Sequence, residues 1–136
     1  MTIGMSSARP VRQRRAVVVV VAGRRLALPA ETVVEVGELE SFTPLPCDDP
    51  AHVGVGLYRD RVVPVVDLVR HAALDIPSPA VTAGAVCVIA RTLRGEVAFP
   101  IDSVVGLEAS DRGDGDTAIA VDPNRRPGSH GEDRPR

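Results

Sequence analysis

Apolar positions along this chain come in short runs, each ended by a glycine, a proline or a charged pair. Ala16–Ala22 is an unbroken valine-rich run. It is too short for an isolated helix and is β-branched almost throughout, so it predicts a buried strand. Gly23-Arg24 predicts a tight turn. Arg25–Pro29 alternates, with Leu26 and Leu28 on one face, and predicts a returning strand that closes a hairpin. Pro29-Ala30-Glu31-Thr32 predicts the start of a short helix carrying Val33, Val34 and Val36 and ending at Gly37. Thr43–Pro50 holds Pro44, Pro46 and Pro50 and reads as an extended loop.

The middle of the chain repeats this style. Val53–Tyr58 predicts a strand, and Gly54 and Gly56 within it suggest a bulge or a close backbone approach. Arg59-Asp60 is the turn, and Arg61–Leu68 is a strongly apolar strand. Pro64 removes a ladder hydrogen bond, which places it at an edge or a bulge. Asp67-Leu68-Val69-Arg70-His71 predicts the start of a short helix that Ile76–Pro79 breaks, with Asp67 a candidate cap. Ala83–Thr92 and Glu96–Ile101 predict a second hairpin around Arg94-Gly95. Asp102–Val105 reads as a helical turn, and Thr117–Val121 as a last short strand.

One pattern therefore occurs twice. Strand, glycine turn, strand and short helix appear at Ala16–Val36 and again at Ala83–Val105. The second strands, Leu26-Ala27-Leu28-Pro29 and Val97-Ala98-Phe99-Pro100, both end in proline. This doubling predicts two similar β units packed face to face.

Composition supports a single valine-based core. Hydrophobic residues make up 44% of the 136 residues, while the only aromatics are Phe42, Tyr58 and Phe99. We assign 16–123 to the folded domain, 1–15 to a disordered basic arm and 124–136 to a disordered charged tail. The arm is read as solvated, with contact to a membrane surface or an acidic partner as the alternative. All 16 basic residues are arginine, and the net charge is -2, which argues against nucleic-acid binding by charge. Cys47 and Cys87 are expected to be free thiols in a reducing compartment. Val17–Ala22 is too short for a signal sequence or a membrane span and runs straight into Arg24 and Arg25. The expected location is therefore cytoplasmic, with recruitment to membrane receptor arrays.

A search for catalytic chemistry finds little. There is no nucleophile elbow and no phosphate loop, and lysine is absent altogether. His52, His71 and His130 share no ligand spacing. Asp111–Asp116 resembles an acidic metal loop but lacks the later bidentate glutamate. No catalytic residue, metal ligand or cofactor is expected. Arg59 is the odd residue, because a tight turn between two apolar strands ordinarily takes Asp, Asn or Gly. It is either a plain surface turn residue or a binding determinant presented by a rigid hairpin.

The tract from Val53 to Leu68 resembles the signature segment of CheW-like domains. There a Gly-led strand ends in an Asn-Leu-Arg-Gly turn, followed by a Pro-Val-x-Asp-Leu strand. Gly54, Arg59, Pro64 and Asp67 match the motif, while Leu57 replaces its Asn and Asp60 its Gly. Thr43–Pro46, Val17–Pro29 and Ala85–Gly106 are similar to flanking parts of the family. The resemblance implies an all-β fold with short helices, built as two five-stranded SH3-like barrel lobes. The connection over Ala109–Asp116 is short, so the second lobe is expected to lack a strand. The implied function is a non-catalytic adaptor in chemotaxis-like, two-component signal transduction. It would couple the cytoplasmic tips of chemoreceptors to the regulatory domain of a CheA-type histidine kinase. The kinase contact would be lobe to lobe, and receptor tips would dock near the groove between lobes. The implied partner-binding residues are Gly54, Tyr58, Arg59, Asp60, Arg61, Pro64 and Asp67. Two alternatives stand beside this: a divergent regulator that binds another β domain or itself through an open edge, and a small barrel enzyme or nucleic-acid binder.

Overall fold

The computed structural model describes residues 15–109 and 118–125. Residues 1–14 of the expected basic arm, the Asp111–Asp116 loop and most of the charged tail lie outside the described residues. Strands dominate: β1 (Arg15–Val21), β2 (Arg24–Pro29), β3 (Val33–Glu38), β4 (Ser41–Pro44), β5 (His52–Tyr58), β6 (Arg61–Val66), β7 (Val86–Thr92), β8 (Gly95–Pro100), β9 (Ser103–Ala109) and β10 (Ile119–Ala120). One four-residue helix, α1 (Leu68–His71), follows β6, and a 3-10 turn covers Ala30–Thr32. The all-β expectation holds.

Two sheets form. One has the order β9-β1-β2-β10, the other β3-β7-β8-β6-β5-β4. The doubled pattern is real and goes further than the sequence suggested. In the first hairpin Ala16 faces Pro29 and Val17 faces Leu28; in the second Cys87 faces Pro100 and Val88 faces Phe99. Equivalent residues are 71 positions apart, as Pro29 and Pro100 show. The strand after each hairpin then crosses over. β3 leaves the first hairpin and pairs with β7, and β9 leaves the second and pairs with β1. The 71-residue shift is kept here too: Val33 faces Ala90 while Val104 faces Val19. Both crossing strands even share their irregularity, at Val33/Glu35 and at Val104/Gly106.

These crossing strands correct two expectations. Val33–Val36 and Asp102–Val105 were read as helical. Only Ala30–Thr32 makes a helical turn, and Val33 and Ser103 begin strands. Their β-branched residues find remote ladders, and this tertiary pairing overrides the weak local helix signal. The Pro-rich segment also differs: Ser41–Pro44 is a strand that pairs with β5 before the loop begins.

The core has two parts. One lies between the sheets and joins Val19, Val21, Leu26 and Leu28 to Val88, Val97, Phe99 and Ile101. The other lines the far side of the six-stranded sheet and contains Leu39, Tyr58, Val63, Val65, Cys87, Ile89 and Ala98. Among the described residues the smaller sheet is the one that holds β1 and β2.

Candidate functional site

The hairpin β5–β6 presents the motif. Tyr58 pairs with Arg61, and the two residues between them both sit in the left-handed region, Arg59 at φ 49° and Asp60 at φ 65°. That is the backbone of a type I′ turn, whose twist matches the flanking strands. Neither residue is glycine, so the turn carries strain of roughly 1–2 kcal/mol per residue.

Gly54 permits close packing behind the hairpin. A Cβ there would strike the Thr43 carbonyl and come within 2.9 Å of the Phe42 ring and of Pro44 Cα. The predicted bulge is present, as the register shifts between His52 and Gly54. Tyr58 is 1% exposed and lies flat against Gly37, where a Cβ would meet its Cε1 at 2.7 Å. Its hydroxyl is shielded and has no partner in hydrogen-bond geometry among the described residues. Burial raises its pKa, the Glu35 carboxylate adds to the rise, and Arg59 opposes it.

The charged side chains spread outward from this ring. The Arg59 and Arg61 guanidinium carbons lie 5.6 and 5.8 Å from the Tyr58 ring centroid, within cation–π range. Arg59 pairs with Glu35 on β3 at 3.5 Å. Arg61 pairs with Glu96 on β8 at 3.0 Å, and Glu96 also meets Arg91 on β7 at 3.5 Å. The arginines thus pair with glutamates on β3 and β8 rather than with Asp60. Arg59 remains 66% exposed and Arg91 69%, so both present unsatisfied donors to solvent. Such exposed pairs are individually weak. Their role is to hold three guanidinium groups over one end of the six-stranded sheet.

Pro64 is not at an edge. It pairs with Val55, and β6 lies between β5 and β8. Its missing N–H is tolerated because β6 and β8 share only one registered pair, Val65 with Ala98. Asp67 is 6% exposed and caps α1 as expected, its Oδ1 accepting from Val69 N at 2.9 Å. Its own N–H donates to Ala51 O at 2.7 Å, and Arg70 Nε lies 3.7 Å from Oδ2. Four of the seven motif residues (Gly54, Tyr58, Pro64 and Asp67) therefore shape the hairpin from within. Arg59, Asp60 and Arg61 are the ones a partner would meet.

Sequence reading missed the exposed apolar edges. Val34 and Val36 on β3 are 40% and 42% exposed, and their equivalents Val105 and Leu107 on β9 are 43% and 54% exposed. β3 and β9 are each the end strand of a sheet. The signal was present as the shared Val-Val pairs, 33–34 and 104–105, but the helical reading hid it. Cys47 and Cys87 are free thiols, as expected. Among the described residues no group of three or more His, Cys, Asp or Glu side chains can hold a metal. No helix there is long and apolar enough to cross a membrane.

Comparison with known proteins agrees with this architecture. No curated protein sequence matches the chain significantly. Fifteen chains of solved structure do. One is the crystal structure of the scaffolding protein TtCheW from Thermoanaerobacter tengcongensis, with a TM-score of 0.62 and 18% identity. The match covers 82% of this chain and 88% of that one, and it shows a shared fold. The family model of the CheW-like domain matches residues 15–129. That span takes in both sheets, the hairpin tip and the crossing strands, and the chain belongs to the CheW-like domain family.

Proposed function

We propose that this protein is a non-catalytic adaptor that couples chemoreceptor tips to the regulatory domain of a CheA-type histidine kinase in the cytoplasm. The observation that carries the reading is the Arg59–Asp60–Arg61 tip. A two-residue turn with no glycine presents Arg59 and Arg61 beside a buried tyrosine, and two glutamates gather them and Arg91 at one end of the sheet; such a left-handed turn is costly for a plain surface turn. Planar guanidinium groups held this way suit carboxylates on a partner. The apolar edges of β3 and β9 supply a second kind of surface, suited to an amphipathic helix such as a receptor tip.

The test is capture of the kinase regulatory domain and of receptor cytoplasmic fragments from the same genome by the purified chain. Binding of at least one is expected. Arg59→Glu should weaken it by about tenfold or more, with an unchanged circular dichroism spectrum. No binding to either partner sinks the reading.

A second reading has its own support. All but one residue of β9 is exposed, and the strand carries Val104, Val105 and Leu107 on a ladder that is unpaired on one side among the described residues. Such an edge suits pairing with another β domain or with a second copy. Light scattering after size exclusion separates the two, since a strict monomer at high concentration counts against self-association.

A further inference from the structure

The face of β6 and β8 turned away from Tyr58 borders a cleft of about 290 Å³. Pro64, Val66, Val97 and Phe99 give it an apolar wall, and the last three belong to the core between the sheets. The segment Pro123–Arg125 forms another part of the wall. That segment is tied down at several points. Asn124 Oδ1 accepts from Leu93 N at 2.7 Å, and Arg125 Nη1 donates to His71 O at 3.3 Å. His71 Nε2 lies 2.8 Å from Asp122 O, and Val121 N donates to Ala27 O at 2.9 Å. The cleft is therefore preformed rather than a gap between loose loops.

Most of its polar lining groups are hydrogen-bonded, but its two cations lack an acidic partner. Arg94 and Arg125 line it, and neither has a carboxylate partner among the described residues. His52 lines it as well, and its Nε2 is shielded from solvent with no hydrogen-bond partner there. A buried polar atom left in that state is costly, so a hydrogen-bonding group in the cleft would be welcome. Asp49 is the single acid in the lining, and its Oδ1 already accepts from Ala51 N at 2.9 Å. An apolar cavity of about 150 Å³ takes up benzene. This cleft has room for an aromatic ring with a short chain.

We propose that the cleft binds a small organic carboxylate with an aromatic or branched apolar body. The body packs on Phe99 and Val97, and the carboxylate pairs with the guanidinium groups of Arg94 and Arg125. The site uses the opposite face of the sheet from the Arg59 network and does not depend on the adaptor reading.

Phenylacetate titrated into the full chain, followed by nitrogen–proton correlation spectra, tests this. Saturable shifts are expected at the amides of Leu93, Val97 and Phe99, with an affinity in the ~millimolar range for so small a ligand. Phenylacetamide should bind at least about fivefold more weakly, because it carries no charge. Acetate should not saturate, because it has no apolar body. Arg94→Gln, at an exposed position, should weaken phenylacetate about fivefold and leave phenylacetamide unchanged. The proposal is overturned by an absence of saturation up to about 20 mM or by shifts that map away from the cleft. It is equally overturned if the amide, acetate or Arg94→Gln leaves affinity as it was.

Discussion

Between Arg15–Glu38 and Val86–Ala109 the pairing is the same at every shared position, yet the burial is not. In β2 buried and half-buried residues alternate, and in β1 the alternation is broken only at the adjacent buried pair Val18 and Val19. In the second hairpin Cys87 to Ala90 and Val97 to Phe99 are buried without a break. The cause is the insertion between the repeats. Leu39, Tyr58, Val63 and Val65 cover the outer face of β7 and β8, which the first hairpin covers on the inner face. Among the described residues the first hairpin has the two-residue β10 in the place that β6 takes beside the second. One plan thus yields two different products. The bare copy ties the molecule together, and the embellished copy carries the arginine tip and the cleft.

Each crossing strand pairs with the other copy's hairpin, so the four-stranded sheet joins the two ends of the chain, β1–β2 and β9–β10, around the contiguous β3–β8 of the larger sheet. The largest test of this is at the equivalent positions Leu28 and Phe99. Phe99→Ala should cost about 3–5 kcal/mol and Leu28→Ala about 2–5 kcal/mol. Urea unfolding of each should show one cooperative transition at a lower midpoint. Two separated transitions in either variant would mean that the sheets unfold independently, and the reciprocal exchange would then not tie them.

Next in size is a pH effect confined to the doubly covered copy. Cys87 is 0% exposed, and burial pushes its thiol up from 9.0 to about 12. Its equivalent Ala16 has nothing to titrate. The folded state keeps the thiol protonated, while the unfolded chain ionises it above pH 9. Its contribution is complete below that pH and is lost as pH rises towards 12. Stability should fall over this window, and Cys87→Ala should remove part of the slope. Native protein near pH 8 should give one thiol to a labelling reagent, from Cys47, and two once unfolded.

A smaller effect tests how β4 joins the embellished copy. Gly54→Ala places a Cβ against the β4 backbone, and overpacking of this kind costs about 1–3 kcal/mol. Amide exchange should speed up across β4 and β5 while β1 and β2 stay protected. Uniform loosening of both sheets would show that the insertion is not a separate layer on the second hairpin.

The two hairpins were legible because β-branched runs and glycine turns are local signals. So was Arg59, as the wrong kind of residue for a turn, and so was Asp67 as a cap. The crossing strands were not legible. Pro29-Ala30-Glu31-Thr32 carries a real helical turn, and nothing nearby announces that Val33 will pair with Ala90. Pro64 was half legible: it was expected at an edge or a bulge, it is in an inner strand, and the register shift lies beside it, where His52 and Gly54 face Val66 and Val65. The exposed valines of β3 and β9 followed the same fate. A residue assigned to a helix face cannot be seen as part of an open sheet edge, although the 71-residue repeat was written in the sequence throughout.

The smallest effect compares the turns themselves. The first hairpin turns on Ala22 and Gly23, at φ 53° and 80°, so its second turn residue is glycine. The inserted hairpin β5–β6 turns on Arg59 and Asp60, and Asp60 carries the left-handed penalty that Gly23 avoids. Asp60→Gly should therefore stabilise the protein by up to about 1 kcal/mol. The gain is trimmed by the extra freedom glycine has in the unfolded chain. If Asp60 serves only the backbone, the more stable variant should bind its partners as the wild type does, or slightly better once the carboxylate no longer offsets Arg59 and Arg61. If binding drops while stability rises, the aspartate is itself a contact, and the strain at the tip is kept for recognition rather than for folding.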